Sequence, residues 1–323
     1  MIVDFRTRLY KTLCADSLAT GIDMAAKQSE FEEKEFEAPL YNQLSCGNNL
    51  VWSPGQVFEE HIGVDHAVFL SDPGMWRFFG NAGPFRGAFL HRYEWEYIWR
   101  HRRERRRLPN FRLNLFLQAK RSHYYSCRPR HLRPHLERCS CWRFDVEPTQ
   151  QEALERVADR LNNRAIVCYA APAFHRLSQL YAHTVKGTIV PNSTFPEAKK
   201  LSGHRSFYYT KPGGSGITND DPEIIEGAGL EDLLSRLGGG VKAAPLQNPG
   251  ALLKELGYEI NQVILEAIPD DNPRKGMYFE SLRHSERFIQ ELDGPREAIR
   301  GFVQVTTFST VFNTEWYVIS ENI

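Results

Sequence analysis

Phe111-Arg-Leu-Asn-Leu-Phe-Leu-Gln-Ala-Lys120 is the stretch on which the fold turns. Leu113, Leu115 and Leu117 alternate with Asn114, Phe116 and Gln118, the period of two that a strand imposes. Apolar side chains on both parities predict a strand covered on both faces. Gln118 and Lys120 share a parity, so the strand ends by presenting an amide and an ammonium on one face. Upstream, His66 to Leu70 reads as a second short apolar strand, opened by Gly63-Val-Asp65 and closed by a Ser-Asp-Pro-Gly turn. Farther upstream, Phe36, Leu40 and Leu44 recur at a spacing of four, the mark of a helix face. Ser29 is placed to cap this helix, and acidic residues fill its first turn. Pro39 predicts a kink or a restart, which sets Glu37 at a bend beside the apolar stripe. A helix carboxylate there can reach inward; Glu59 and Glu60, just ahead of Asp65, are the alternatives.

Downstream, Thr149 and Glu152 form a capping-box pattern ahead of an apolar helical face of Leu154, Val157, Ala158 and Leu161, ended by Asn162-Asn163. Ala165 to Ala171 follows as a buried strand. Strand, helix, strand demands a crossover, so the expected fold is α/β, a central mixed β-sheet flanked by helices. Phe207 to Gly216 reads as a strand end and turn whose glycines lack the phosphate-loop pattern. Helices are expected over 230–237, 249–257 and 277–292, a C-terminal, mainly helical extension. The stretch from Phe302 to Ile319 mixes β-branched and aromatic residues and supports neither assignment. The organisation expected is a lead-in over 1–28, a core over 29–195 with an aromatic, basic insertion at 71–110, and an accessory or regulatory region over 196–323.

Lys and Arg balance Asp and Glu at 40 each, but not locally. From Arg100 to Arg143 thirteen Arg and one Lys face only Glu104 and Glu137, a local charge of +12 that the rest of the chain cancels. Such a block concentrates a polyanion by counterion release. Arg100, Arg102, Arg103, Arg105, Arg106, Arg107 and Arg121 are its candidate phosphate contacts, and the aromatic residues before them could stack on bases. A solvated helix face is the competing account of the same charges. The apolar run from Ala165 to Phe174 is too short to cross a bilayer, and the first residues lack a secretory pattern, so no membrane partner and a cytoplasmic location are expected.

Cys127, His131, His135, Cys139 and Cys141 are closely spaced thiol and imidazole groups. Pro129 and Pro134 interrupt any continuous helix and paired Cys-x2-Cys knuckles are absent. Reduced, partly buried cysteines and phosphate-facing histidines are therefore expected rather than a structural Zn²⁺ site.

A Glu on a helix, an Asp opening one strand and Gln-x-Lys closing the next resembles the PD-(D/E)xK, restriction endonuclease-like nuclease superfamily in its Gln-x-Lys variant. The similarity covers about residues 30–175 and extends to Mrr-like and phage-defence nuclease effectors. It implies a metal-dependent endonuclease, DNA favoured as substrate, with a role in bacterial antiviral defence and with a homo-oligomer or a regulatory protein as further partners. Glu37, Asp65 and Gln118 would hold Mg²⁺, or Mn²⁺ in its place, and Lys120 would stabilise charge at the scissile phosphate. Gln118 stands where the commoner form has an acid, one anion fewer. A catalytically inactive nucleic-acid or partner-binding protein of the same fold is the alternative.

Overall fold

The computed structural model describes residues 26–44, 50–52, 67–69, 111–127, 129, 132, 135–136, 140–219, 222–227, 229–234, 249–291 and 296–320. Asp65, Glu59, Glu60, the arginines from 100 to 107, His131 and Cys139 lie outside the described residues.

Strand β3 (Phe111–Ala119) pairs in parallel with β6 (Ala165–Pro172), and the intervening helix α2 (Pro148–Leu161) makes the crossover. Both faces of this pair are covered. Leu115, Leu117 and Ala119, with Ile166, Cys168 and Ala170, pack under Phe36 and Leu40 of helix α1 (Glu33–Leu44) and Leu180 of helix α3 (Leu177–Lys186). Phe116, Val167 and Tyr169 turn the other way, onto Leu154 and Val157 of α2 and onto two C-terminal helices, α4 (Pro249–Ala267) and α6 (Arg296–Val311). Each buried aliphatic side chain contributes about 1.5–3 kcal/mol, so the two-sided pattern read from the sequence locks the strand register. Asn114 is buried among these residues and bonded at both ends of its amide: its Nδ2 donates to the Arg164 carbonyl at 3.1 Å, and its Oδ1 accepts from Trp316 Nε1 at 3.0 Å.

Strands β1 (Leu50–Trp52) and β2 (Ala67–Phe69) pair antiparallel, with β2 inside the strand expected from His66 to Leu70. A second, antiparallel sheet runs β10 (Ile224–Ile225), β9 (Gly216–Thr218), β8 (Ser206–Tyr209), β5 (Cys141–Asp145), β4 (His123–Tyr125). Its β5–β8 pairing bonds residues on either side of the boundary expected at 195, because each strand needs the other's backbone groups. Phe144, Phe207 and Tyr209 of this sheet enter the same core as α2 and α4. Cys141 is buried on the other face, with Leu132, Leu136, Tyr208 and Ile217, and Cys127 is half-buried.

The C-terminal residues also complete the first sheet. Strand β11 (Glu315–Ser320) pairs antiparallel with β3, setting Glu315 opposite Leu117. The unassigned stretch is therefore the rest of α6, a turn and β11. Helix α5 (Pro273–Glu291) adds Tyr278 to the core shared by α2, α4 and α6, with Phe279 and Leu282 packed against it. No described helix is long and apolar enough to cross a membrane.

Three local expectations shift. Ser29 does not cap α1; its hydroxyl donates to the Ser122 carbonyl, and the Glu35 carboxylate accepts the Glu32 amide at 2.8 Å. Helix α1 runs through Pro39 unbroken, because Pro39 is buried beside Phe36 and Leu40, packing that offsets the lost hydrogen bond. Helix α2 is capped by Glu147 rather than Thr149: Pro148 at the first position has no N–H to satisfy, and the Glu147 carboxylate takes those of Thr149 and Gln150.

Helix α6 lies close on α4 because Gly301 and Gly257 meet at the crossing. A Cβ at 301 would overlap the Leu253 carbonyl. Alanine is favoured over glycine inside a helix by about 1 kcal/mol, yet backbone overlap cannot be relieved by a rotamer. Gly301→Ala is expected to destabilise the protein by about 1–3 kcal/mol net, measured by urea unfolding.

Candidate active site

The carboxyl end of β3 is held by its neighbours before any side chain is considered. The Lys120 amide donates to the Ala170 carbonyl at 2.8 Å, extending the β6 pairing one residue past the strand. The Lys120 ammonium then leaves the sheet toward the start of α2, where it donates to Gln150 Oε1 at 2.8 Å and lies 5.8 Å from the centre of the Tyr169 ring. Burial pulls its pKa below the ordinary lysine value, against the raising fields of Glu33, Glu147 and Glu37. Arg274, at the start of α5 and paired with Glu147, adds to the lowering.

Glu37 and Glu33 are one helical turn apart on α1 and face the turn that joins α6 to β11. Asn313 Nδ2 donates to both, at 3.2 Å to Glu37 Oε1 and 3.3 Å to Glu33 Oε1. The other Glu33 oxygen accepts the Arg121 backbone amide at 3.3 Å. Burial, then repulsion from Glu33, raises the Glu37 pKa to about 7 although Asn313 and Lys34 oppose it. Glu315 contributes to the same rise and is itself pushed up by burial. Beneath them Tyr41 and Tyr317 pack edge to face, with ring centres 6.3 Å apart.

The structure thus brings Glu37 and Lys120 into one electrostatic neighbourhood. Gln118 stands opposite Tyr169 in the strand register, on the face toward which Lys120 turns: it is 1% exposed, its Nε2 donates to the Ala119 carbonyl at 3.1 Å, and its Oε1 has no hydrogen-bond partner among the described residues. The Arg121 guanidinium donates to the Ser29 carbonyl, fastening the approach to α1.

Sequence reading missed Glu33, Gln150, Asn313 and Glu315. Glu33 was accessible through its spacing of four from Glu37. Asn313 carried a weaker signal, since asparagine is favoured in the left-handed position after a helix, and it does adopt φ 50°. Nothing local pointed to Gln150 or Glu315.

Among the described residues no three His, Cys, Asp or Glu side chains form a group able to hold a metal ion. Mg²⁺, however, takes only one or two protein carboxylates, completing its shell with water and phosphate. Glu33 and Glu37 suit it: both are hard oxygen donors, one helical turn apart and held by the same Asn313 amide. In comparisons with family models, curated proteins and solved structures, nothing matches this chain.

The Glu37 carboxyl has a stability consequence. Between its ordinary pKa of 4.5 and about 7 the folded chain keeps a proton that the unfolded chain has lost, so the stabilisation present below pH 4.5 fades as pH rises through 7. Glu37→Gln is expected to flatten this decline, gaining about 2–3 kcal/mol over wild type at pH 8 relative to pH 4, measured by urea unfolding in EDTA.

Proposed function

We propose that the chain is a Mg²⁺-dependent endonuclease, DNA favoured as substrate, with its active site at the carboxyl end of β3. The observation that carries this reading is the neighbourhood of one half-buried lysine, Lys120, and two carboxylates, Glu33 and Glu37, held by a single Asn313 amide. The order of α1, the paired strands β1 and β2, β3, α2 and β6 supports it at the level of the fold.

Hydrolysis of a phosphodiester needs an in-line water and stabilisation of the charge that builds on phosphorus and on the departing oxygen. Glu33 and Glu37 would hold the Mg²⁺, which when bound supplies a more acidic water and neutralises phosphate charge. Lys120, desolvated and aimed by Gln150, would face the anionic phosphate with little screening by water. Ionisation of Glu37 tunes the site, since a protonated carboxyl is a poor cation ligand. The arginine-rich segment before β3 would hold the flanking phosphates, and an antiviral role would suit a nuclease kept silent until a partner or self-assembly releases it.

Two observations favour a second reading. Gln118 faces the Ala119 carbonyl, and no three-ligand group forms among the described residues, as in a relative that binds nucleic acid without cutting it.

Linear, circular and single-stranded DNA, and RNA, incubated with the purified chain in Mg²⁺, Mn²⁺ and EDTA separate the two. Cutting in Mg²⁺ is expected to fall at least about 100-fold in Lys120→Ala, Glu37→Ala and Asp65→Ala. In wild type the rate is expected to climb with pH to a plateau above 7 as Glu37 ionises. Salt-sensitive binding without cutting would instead establish the inert binder.

A further inference from the structure

Lys120 and the pair Glu33 and Glu37 do not touch, yet hydrogen bonds connect them through the C-terminal turn. Gln150 accepts from Lys120 with Oε1 and donates through Nε2 to the Phe312 carbonyl. Phe312 is the residue before Asn313, whose amide holds both glutamates. The turn between these joints is stiff. Phe312 N donates to Phe308 O at 2.9 Å, Asn313 N to Thr310 O at 3.3 Å and Thr314 N to Ser309 O at 2.8 Å, closing α6 with a left-handed residue at 313. The Phe312 ring is fully buried, stacks on Phe308 with centres 4.8 Å apart and carries the Arg274 guanidinium 5.6 Å from its own centre.

Chemistry fixes the direction of each joint. An ammonium only donates and a carbonyl only accepts, so Gln150 has one orientation; carboxylates only accept, so Asn313 must present its NH₂. Both joints are neutral amides. A carboxylate at 150 would neutralise Lys120, and a cation at 313 would take the place of a metal between the glutamates. Amides align the charged groups and leave their charge available.

We infer that Gln150 and Asn313 are positioning residues of one array, in which the turn over residues 312–313 sets Lys120 against Glu33 and Glu37. The inference rests on the reading of this end of β3 as the active site. It makes the C-terminal region part of the catalytic apparatus, with the close α4–α6 crossing as its support.

The test uses the full chain and two readouts that need no cleavage: side-chain NMR titration of Lys120, and hydrogen exchange at the Thr314 amide. The charged groups facing Lys120 are Glu33 and Glu37 from α1, Glu147 ahead of α2 and Arg274 from α5, and all are retained in every variant. Asn313→Gly keeps the left-handed turn and removes only the amide. It is expected to shift the Lys120 side-chain resonance, as Glu33 and Glu37 lose the common donor that fixes them. Gln150→Leu is expected to speed Thr314 exchange and lower the Lys120 titration. Gln150→Glu keeps an acceptor for Lys120 but offers no donor to Phe312, so exchange should speed as in Gln150→Leu while Lys120 titrates higher than in wild type. That reversal of sign is not produced by a general loosening of the fold. Lys120 unmoved by Asn313→Gly, or Thr314 exchange unchanged in both Gln150 variants, would overturn the array. If wild type cuts, Asn313→Gly should lower kcat about 10- to 100-fold with KM nearly unchanged. If wild type cuts nothing while both readouts move, the nuclease reading fails and the array stands.

Discussion

The parallel pairing of β3 with β6 is the constraint from which the rest of the structure follows. A strand buried on both faces must receive helices on both, and a parallel neighbour requires a crossover to reach it. Helix α2 supplies the crossover and one cover, and α1 supplies the other. The remaining edge of β3 would leave backbone groups unpaired, and β11 fills it from the far end of the chain. Residues separated by some 200 positions thus become neighbours, as the bond from Trp316 to Asn114 shows.

The same constraint locates the candidate site. Side chains along β3 are committed to packing, so chemistry is available only where the strand leaves the sheet. There Lys120 emerges between the start of α2 and the turn that leads into β11, while α1 brings Glu33 and Glu37 from the opposite face. The site straddles the sheet's end. Burial is what makes it electrostatically unusual: Lys120 is pulled below and Glu37 above their ordinary ranges, as expected of opposite charges removed from water.

Glu147 illustrates how a cap also serves the site. Its carboxylate closes the first turn of α2, which orients Gln150, and it pairs with Arg274 from α5. A change that loosened the start of α2 would move Gln150 and, with it, the partner of Lys120. Stability and the geometry of the candidate site share these atoms.

The sequence by itself determined β3, α2 and β6 and their order, because alternation, helical periodicity and caps are local signals that depend on near neighbours. It also singled out Glu37 and Lys120, since a charged residue beside an apolar stripe or at a strand end is visible in one dimension. It misjudged Pro39, where packing of Phe36, Pro39 and Leu40 outweighed a local breaking tendency, and Ser29, whose hydroxyl found a better acceptor at Ser122. Only the tertiary structure decided that residues 312–315 belong to the same place as Lys120. Gln150, Asn313 and Glu315 carry no local mark of that role: their meaning comes from strand pairing and helix crossing, which depend on the complementarity of surfaces far apart in the chain.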